Sequence, residues 1–320
     1  MIATGSTEIL ASHQAEIYRK TGELVEVYPH IDLIPPPLVD QVEILVTYGN
    51  YLTDGEPKLL NISRFPKLSW IQLLSVGLEG LPLDEIKQLG IIVTNVAGIQ
   101  VTPMSEWVLA CMLYFEKDLG RYFAQKQEHR YDRSKWVGEI AGREVLIYGT
   151  GTISQAVARL LTVLNARVFG VNTTGRPVDP FVKTFTLAQA RQKICTADFV
   201  VSLLPSTPNT QGLFDREYLN LMKEDAIFIS LGRGDVVDED SVVQLVKEGK
   251  LRGAAFDVFK QEPLSPFSPL WDCPNLILTP HMSAKSIYYV DRCVEIFIKN
   301  LLARRNGQPM INMVNIAKGY

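Results

Sequence analysis

Three residues in the C-terminal half of the chain are of the types that anion binding and proton transfer require: Arg233, Glu262 and His281. Arg233 stands in Leu231-Gly232-Arg233-Gly234, directly after an apolar run. An arginine between two glycines presents an unobstructed planar fork, suited to bidentate grip of a carboxylate. It could equally satisfy carbonyls at a strand end. His281 closes Leu278-Thr279-Pro280-His281, again after an apolar run. Imidazole titrates near neutrality, so it suits proton exchange with a substrate oxygen. The other histidines, His13, His30 and His129, lie in polar or loop contexts and read as surface residues. Glu262 comes after Asp257-Val258-Phe259-Lys260-Gln261. A carboxylate beside an imidazole favours the protonated ring, whereas alone it reads as a solvated loop residue.

These residues need elements that hold them. The stretch Arg143 to Arg176 reads as strand, glycine turn, helix and strand. Its apolar run Val145 to Tyr148 meets Gly149-Thr150-Gly151, and a helical pattern continues through Val157, Leu160 and Leu161. This is the βαβ unit that lays a dinucleotide pyrophosphate on a helix N-terminus. Gly149 permits the tight turn, and Gly151 lets the backbone approach phosphate oxygens. Ser154 stands where the fingerprint has its third glycine, which should cost helix–strand packing more than phosphate binding. An ordinary tight turn is the alternative reading. Ligands of open α/β sheets lie at the carboxyl ends of strands. The polar residues just after each strand of this region are Gly149-Thr150-Gly151, Asn172, Pro205-Ser206-Thr207, Arg233, Asp257 and His281.

The whole chain has 320 residues, 47% hydrophobic and 21% charged, with a net charge of −3. That length suggests two domains, and the charge leaves no electrostatic footprint for nucleic acid. Cys111, Cys195, Cys273 and Cys293 form no CxxC pair and sit in apolar contexts, so all four read as buried thiols of a reducing compartment. No run approaches the ~18 apolar residues of a membrane span, and the N-terminus carries no basic leader pattern. A soluble cytoplasmic protein is expected, and no residue cluster suggests a metal.

Before residue 96, helix and strand signals alternate. Ser6 or Thr7 could cap a helix from Ile9 to Arg19 that ends at Gly22. Strands are expected at Leu24–Tyr28, Val42–Tyr48, Leu68–Leu74 and Ile91–Asn95, with Ser75-Val76-Gly77 as a loop at a strand's carboxyl end. Pro103 to Glu116 forms an apolar helix, as a hinge or dimer element or as a core helix, with Gly120 as a break. Later strands are expected at 199–204, 226–231, 254–258 and 276–278, and a long amphipathic helix over Ser283–Arg305 could cross back to the first domain. The expected fold is α/β, two Rossmann-like or flavodoxin-like parallel-sheet domains with a cleft between them. The boundaries are 1–95 with 285–320 for a substrate domain, and 96–284 for a dinucleotide-binding domain.

The stretches VLIYGTGTIS, VVSLLPSTPNTQGLF, AIFISLGRGDVVDEDSVVQLVKEGKLRGAAFDVFKQEPL and LILTPHMSA resemble the D-isomer-specific 2-hydroxyacid dehydrogenase family. The similarity runs from about Asn95 to Ala284, and more weakly through Ser75-Val76-Gly77-Leu78-Glu79. The resemblance implies an NAD(P)-dependent oxidoreductase acting on a small 2-keto or 2-hydroxy acid such as glyoxylate, hydroxypyruvate or pyruvate. Arg233 would bind the substrate carboxylate and polarise the carbonyl. His281 would protonate the carbonyl oxygen, with Glu262 orienting it and favouring its charged form. Backbone N–H groups of Val76 and Gly77 would complete the carboxylate grip. The resemblance assigns the cofactor to Gly149, Gly151, Thr152, Ile153, Asn172, Thr173, Thr174, Arg176, Leu204, Pro205, Thr210, Leu231, Gly232, Arg233, Asp257 and His281. It also implies a homodimer. Tyr48, Asn50, Tyr51, Leu74 and Tyr288 are candidate pocket residues.

An NAD enzyme of this type has an acidic residue ~20 positions after the glycine turn for the ribose hydroxyls. Here Asn172-Thr173-Thr174-Gly175-Arg176 offers hydroxyls and a cation instead, so NADP is favoured over NAD. The chain ends at Tyr320, before the C-terminal regulatory domain of longer serine-pathway phosphoglycerate dehydrogenases; serine feedback is not expected. A dinucleotide-sensing protein or corepressor on the same fold is the alternative function.

Overall fold

In the computed structural model, the described residues are 1–49, 59–78 and 80–316. Asn50, Tyr51 and Glu79 therefore lie outside them. The chain divides into two compact units, Met1–Ile99 with Ser286–Tyr320 and Gln100–Lys285.

The first unit contains β1 (Ile2–Thr4), α1 (Ala11–Thr21), β2 (Val25–Val27), α2 (Pro36–Val39), β3 (Ile44–Thr47), β4 (Trp70–Leu73), α3 (Leu83–Leu89) and β5 (Ile92–Thr94). Its sheet runs β2-β1-β3-β4-β5, with every pair parallel. This is the flavodoxin-like order. Strands β3 and β4 are buried at every position, as parallel strands covered on both faces must be. β1 has no counterpart in the sequence reading, because three residues behind Met1 show no periodicity to detect.

Helix α1 starts later than Ser6 or Thr7 would place it. Leu10 is the N-cap, and its N–H donates to His13 Nδ1 at 3.0 Å. Ser6 Oγ instead accepts the N–H of Glu8 at 3.3 Å, closing a local turn. Gly22 ends the helix in the left-handed conformation at φ 76°, where the missing Cβ removes the steric cost.

The second unit contains α4 (Val101–Glu116), α5 (Leu119–Gln127), β6 (Glu144–Tyr148), α6 (Thr152–Val163), β7 (Arg167–Val171), β8 (Lys183–Phe185), α7 (Leu187–Lys193), β9 (Phe199–Ser202), α8 (Arg216–Asn220), β10 (Ala226–Ser230), α9 (Glu239–Lys247), β11 (Leu251–Phe256) and β12 (Leu276–Leu278). Its parallel sheet runs β12-β11-β10-β9-β6-β7-β8. The order reverses between β6 and β9, which is the switch point of a Rossmann sheet. Helix α4 contributes Val108, Cys111, Met112 and Phe115 to a cluster with Val157, Ala158 and Leu161 of α6, so it is a core helix of this unit. The helical break falls at Asp118, whose φ is 53°, and Gly120 lies inside α5. A Cβ at Gly120 would stand 2.5 Å from Tyr114 Oη.

The closing helix, α10 (Tyr289–Arg305), belongs to the first unit. Its Cys293, Val294, Phe297 and Leu301 pack with Ile2, Ile17, Val46 and Trp70 in one cluster. Trp70 and Phe297 have ring centroids 5.4 Å apart. Buried Asn300 donates to Gln72 Oε1 at 3.2 Å. His13, expected at the surface, is buried at 7% exposure. Its Nε2 lies 3.0 Å from Asp291 Oδ1, a partner that no local pattern could announce. Cys111, Cys273 and Cys293 are buried, but Cys195 is exposed. The single turn Ile194–Thr196 sends Ile194 fully inward and leaves its neighbour outside. Among the described residues, no helix is long and apolar enough to cross a membrane.

Candidate active site

The carboxyl edge of the second sheet carries the sequence candidates in a row. In spatial order, the loops after β12, β11, β10, β9, β6 and β7 hold His281, Asp257, Arg233, Leu204 with Pro205, the glycine turn, and Asn172. At ~4.8 Å per strand the row is on the order of 24 Å long, a shape for an elongated ligand.

At the switch point, Gly149 has φ 96°, and its N–H donates to Val171 O at 2.9 Å. A Cβ there would press on Leu203 O at 3.3 Å. Gly151 is the N-cap of α6, with no side chain capping the helix. The first-turn N–H groups of such a helix, here those of Thr152 and Ile153, are left for an anion. A Cβ on Gly151 would meet nothing within 4 Å, so the turn faces open space. Ser154 is 2% exposed, and the helix accommodates it without opening.

Asn172 shapes the next loop. Its Oδ1 accepts the Thr174 N–H at 3.2 Å, and its Nδ2 donates to Arg176 O at 3.0 Å and to Thr150 Oγ1 at 3.4 Å. The loop is thereby tied to the glycine turn. Thr173, Thr174 and Arg176 are exposed. The Arg176 guanidinium makes no hydrogen bond or ion pair among the described residues. Beyond β9, Thr210 Oγ1 donates to Pro205 O at 2.7 Å and accepts the Thr207 N–H at 2.9 Å, closing that loop on itself. These features fit a dinucleotide: an uncapped helix N-terminus, open space at Gly151, and an exposed loop after β7 that carries Thr173, Thr174 and Arg176.

The two glycines around Arg233 serve a purpose beyond freeing its fork. A Cβ at Gly232 would lie 2.2 Å from Leu204 O, and one at Gly234 would lie 2.0 Å from the carbonyl carbon of Phe259. Arg233 therefore rides on a strand end clamped between the loop after β9 and the segment leading to Glu262. Leu231 is buried before it, and Arg233 is itself exposed, with Nη1 donating to Gly232 O at 3.0 Å. Asp235, which carries no signal of its own in the sequence, reinforces the same clamp. Its Oδ2 accepts from Ser206 Oγ at 2.5 Å and Gln211 Nε2 at 3.0 Å.

Glu262 and His281 meet as a pair. Glu262 Oε2 lies 2.8 Å from His281 Nδ1, while Oε1 accepts the Phe259 N–H at 3.0 Å. With the carboxylate ionised, Nδ1 carries the proton and Nε2 is left for exchange. His281 has φ 54°, a left-handed conformation that few residues other than glycine adopt and in which histidine, like asparagine and aspartate, is enriched. Asp257 holds it there. Its carbonyl accepts the His281 N–H at 2.8 Å. Its carboxylate, 1% exposed, accepts from Thr279 Oγ1 and from the N–H groups of Met282 at 2.8 Å and Ser283 at 2.9 Å. Those bonds hold Met282 and Ser283 in a loop where the last helix was expected to begin, and α10 starts at Tyr289.

In the first unit, Val76 and Gly77 come after β4, and Ser75 Oγ donates to the carbonyls of Tyr48 and Gly77, both at 3.3 Å. Asn95 Nδ2 donates to Val76 O at 3.1 Å. Tyr288 is exposed, but Leu74 is only 1% exposed and belongs to the core rather than to a pocket wall.

Residues 109–283 match the family model described as D-isomer specific 2-hydroxyacid dehydrogenase, NAD binding domain. The chain is 29% identical over 259 residues to a D-3-phosphoglycerate dehydrogenase of Mycobacterium tuberculosis, across 81% of this chain and 49% of that protein. It thus spans about half the length of the phosphoglycerate dehydrogenases it matches. It is also 29% identical over 285 residues to a glyoxylate reductase of Pyrococcus horikoshii, covering 87% and 84% of the two chains. Among solved structures, a D-isomer specific 2-hydroxyacid dehydrogenase family protein from Aeromonas salmonicida superposes with a TM-score of 0.81 at 29% identity, over 98% of both chains.

Proposed function

Because the chain belongs to the D-isomer-specific 2-hydroxyacid dehydrogenase family, we propose that it reduces a small 2-keto acid to the 2-hydroxy acid with NADPH. One observation carries the reading: the Glu262–His281 pair at 2.8 Å lies at the same sheet edge as Arg233, two strands away. A bound reduced nicotinamide supplies the hydride. Arg233 holds the substrate carboxylate and draws electron density from the adjacent carbonyl. His281 gives a proton from Nε2 to the carbonyl oxygen, and Glu262 keeps Nδ1 oriented through the transfer. The N–H groups of Val76 and Gly77 are further proposed carboxylate donors. The dinucleotide is held at Gly151, Thr152 and Ile153, with Asn172 to Arg176 beside its adenosine end.

NADPH is preferred on this reading because Arg176 and the Thr173 and Thr174 hydroxyls stand where an NAD enzyme has a carboxylate. The test is initial-rate NAD(P)H oxidation with glyoxylate, hydroxypyruvate and pyruvate. Turnover with at least one acid is expected, at a higher kcat/KM with NADPH than with NADH. Arg176→Ala should reduce kcat/KM with NADPH about tenfold or more, the scale of one charge-assisted contact, with little change for NADH. A clear NADH preference in the wild type would remove the cofactor assignment. Cofactor binding without turnover of any acid would support a dinucleotide sensor instead.

A homodimer is part of the proposal. Phe123, Tyr131 and Trp136 are 60%, 89% and 95% exposed, and aromatic side chains so placed on one segment mark an association surface. Sedimentation velocity is expected to give twice the chain mass, and a monomer at micromolar concentration rules this out. Function in the cytoplasm is proposed with it, on the strength of four unpaired cysteines.

A further inference from the structure

The first unit places a carboxylate at its own strand ends. Strands β1, β3 and β4 are neighbours and parallel, so the segments beyond them emerge at one edge. Glu8 comes after β1, Tyr48 after β3, and Ser75 to Gly77 after β4. The three are linked. Ser75 Oγ bonds both the Tyr48 carbonyl and the Gly77 carbonyl, and the Tyr48 hydroxyl donates to Glu8 Oε2 in a short bond. Glu8 Oε1 accepts no hydrogen bond among the described residues, and Glu8 is exposed.

Glu8 is held in place by its bond to the Tyr48 hydroxyl. The Tyr48 ring packs on the apolar cluster beneath it. Burial first, and the Glu8 bond second, raise the Tyr48 phenol well above the usual range, so it remains a donor. The field of Glu8 reaches further in. Burial pushes the Cys293 thiol up to about 12, and the Glu8 charge adds to that.

We propose that Glu8, positioned by Tyr48, sets substrate selection: it rejects 2-keto acids that carry a second anionic group and favours those whose remainder is a hydrogen atom or a hydroxyl-bearing carbon. The inference rests on the reading above, in which the amides of Val76 and Gly77 receive the substrate carboxylate. Adjacent strands are ~4.8 Å apart, so the remainder of a short acid anchored after β4 falls within reach of the segments after β3 and β1. A second carboxylate or phosphate there meets a like charge. A hydroxyl finds an acceptor.

The probe is the ratio of kcat/KM for oxaloacetate to kcat/KM for glyoxylate. In the wild type this ratio is expected to be well below one and to rise with ionic strength, because the discrimination is electrostatic. Glu8→Gln and Glu8→Ala are each expected to raise it at least tenfold. Tyr48→Phe keeps the charge and should raise it less than threefold. A ratio unmoved in both Glu8 variants overturns the inference, as does an equal rise in Tyr48→Phe, which would indicate a change of loop shape. A wild type indifferent to the second charge overturns it without any variant. These outcomes are separable from failure of the parent reading, in which glyoxylate itself is not reduced and the inference falls with it.

Discussion

His281→Ala is expected to lower kcat for 2-keto acid reduction by about 10²–10⁴-fold, the range of a positioned general acid, while cofactor affinity by fluorescence titration stays within a few fold. Two roles are combined at this position, and a second substitution separates them. His281 has φ 54°, which alanine adopts less readily than asparagine does. His281→Asn therefore preserves the loop and removes only the imidazole. Both variants should lose kcat to a similar extent, and only the alanine should show a lower melting temperature. If His281→Asn keeps more than about a tenth of wild-type kcat, proton transfer runs through another group.

Gly234→Ala is expected to be the most damaging small substitution near the site. Its Cβ would stand 2.0 Å from the Phe259 carbonyl carbon and 2.1 Å from the Phe259 oxygen. Backbone cannot yield as a flexible side-chain end can, and overpacking of this kind costs about 3 kcal/mol or more. For a folding unit the size of Gln100–Lys285 that corresponds to a fall in Tm of roughly 6–12 °C. Activity should fall further than stability alone implies, because Phe259 donates its N–H to Glu262 and moves with the clash. Gly151→Ala is the contrast. Nothing lies within 4 Å of its Cβ, so Tm should hold within about 3 °C while affinity for the dinucleotide drops. Equal melting temperatures for Gly234→Ala and the wild type would show that the clamp around Arg233 is not rigid.

Much of this is legible from local pattern. The apolar run before Gly149, the amphipathic helix after it and the run to Val171 obey short-range rules, and they form β6, α6 and β7. Arg233 and His281 stand out in the sequence because each comes directly after an apolar strand. The features that escape depend on contacts distant in sequence. The pairing of Glu262 with His281 joins two separate loops, so local pattern leaves Glu262 looking like a solvated residue and only the family resemblance pairs the two. Gly232 and Gly234 look permissive, but their meaning is steric and comes from Leu204 and Phe259. Asp257 enters the sequence reading as a strand-end residue that the resemblance assigns to the cofactor, and no local pattern announces that its carboxylate organises the 279–283 backbone. Glu8 gives no signal, since β1 before it is three residues long. Cys195 and His13 were misplaced for a shared reason: exposure within a turn or at a helix junction depends on which neighbour takes the interior position.

The first unit is built from both ends of the chain. Its cluster around Trp70 is completed by Phe297, and α1 is joined to α10 through His13 and Asp291. The second unit is a single continuous stretch, Gln100–Lys285. On the ribosome, where chains emerge at ~5–20 residues per second and domains fold as units, the two therefore mature in reverse order of appearance. The strands of residues 1–94 leave the exit tunnel first, yet they must wait, with the apolar face that α10 covers still wet, until residue 301 has been made. Roughly ten to forty seconds pass at those rates. By the end of that interval the nascent chain is a finished nucleotide-type sheet behind an unfinished one, and the latter is the part that chaperones have to shield.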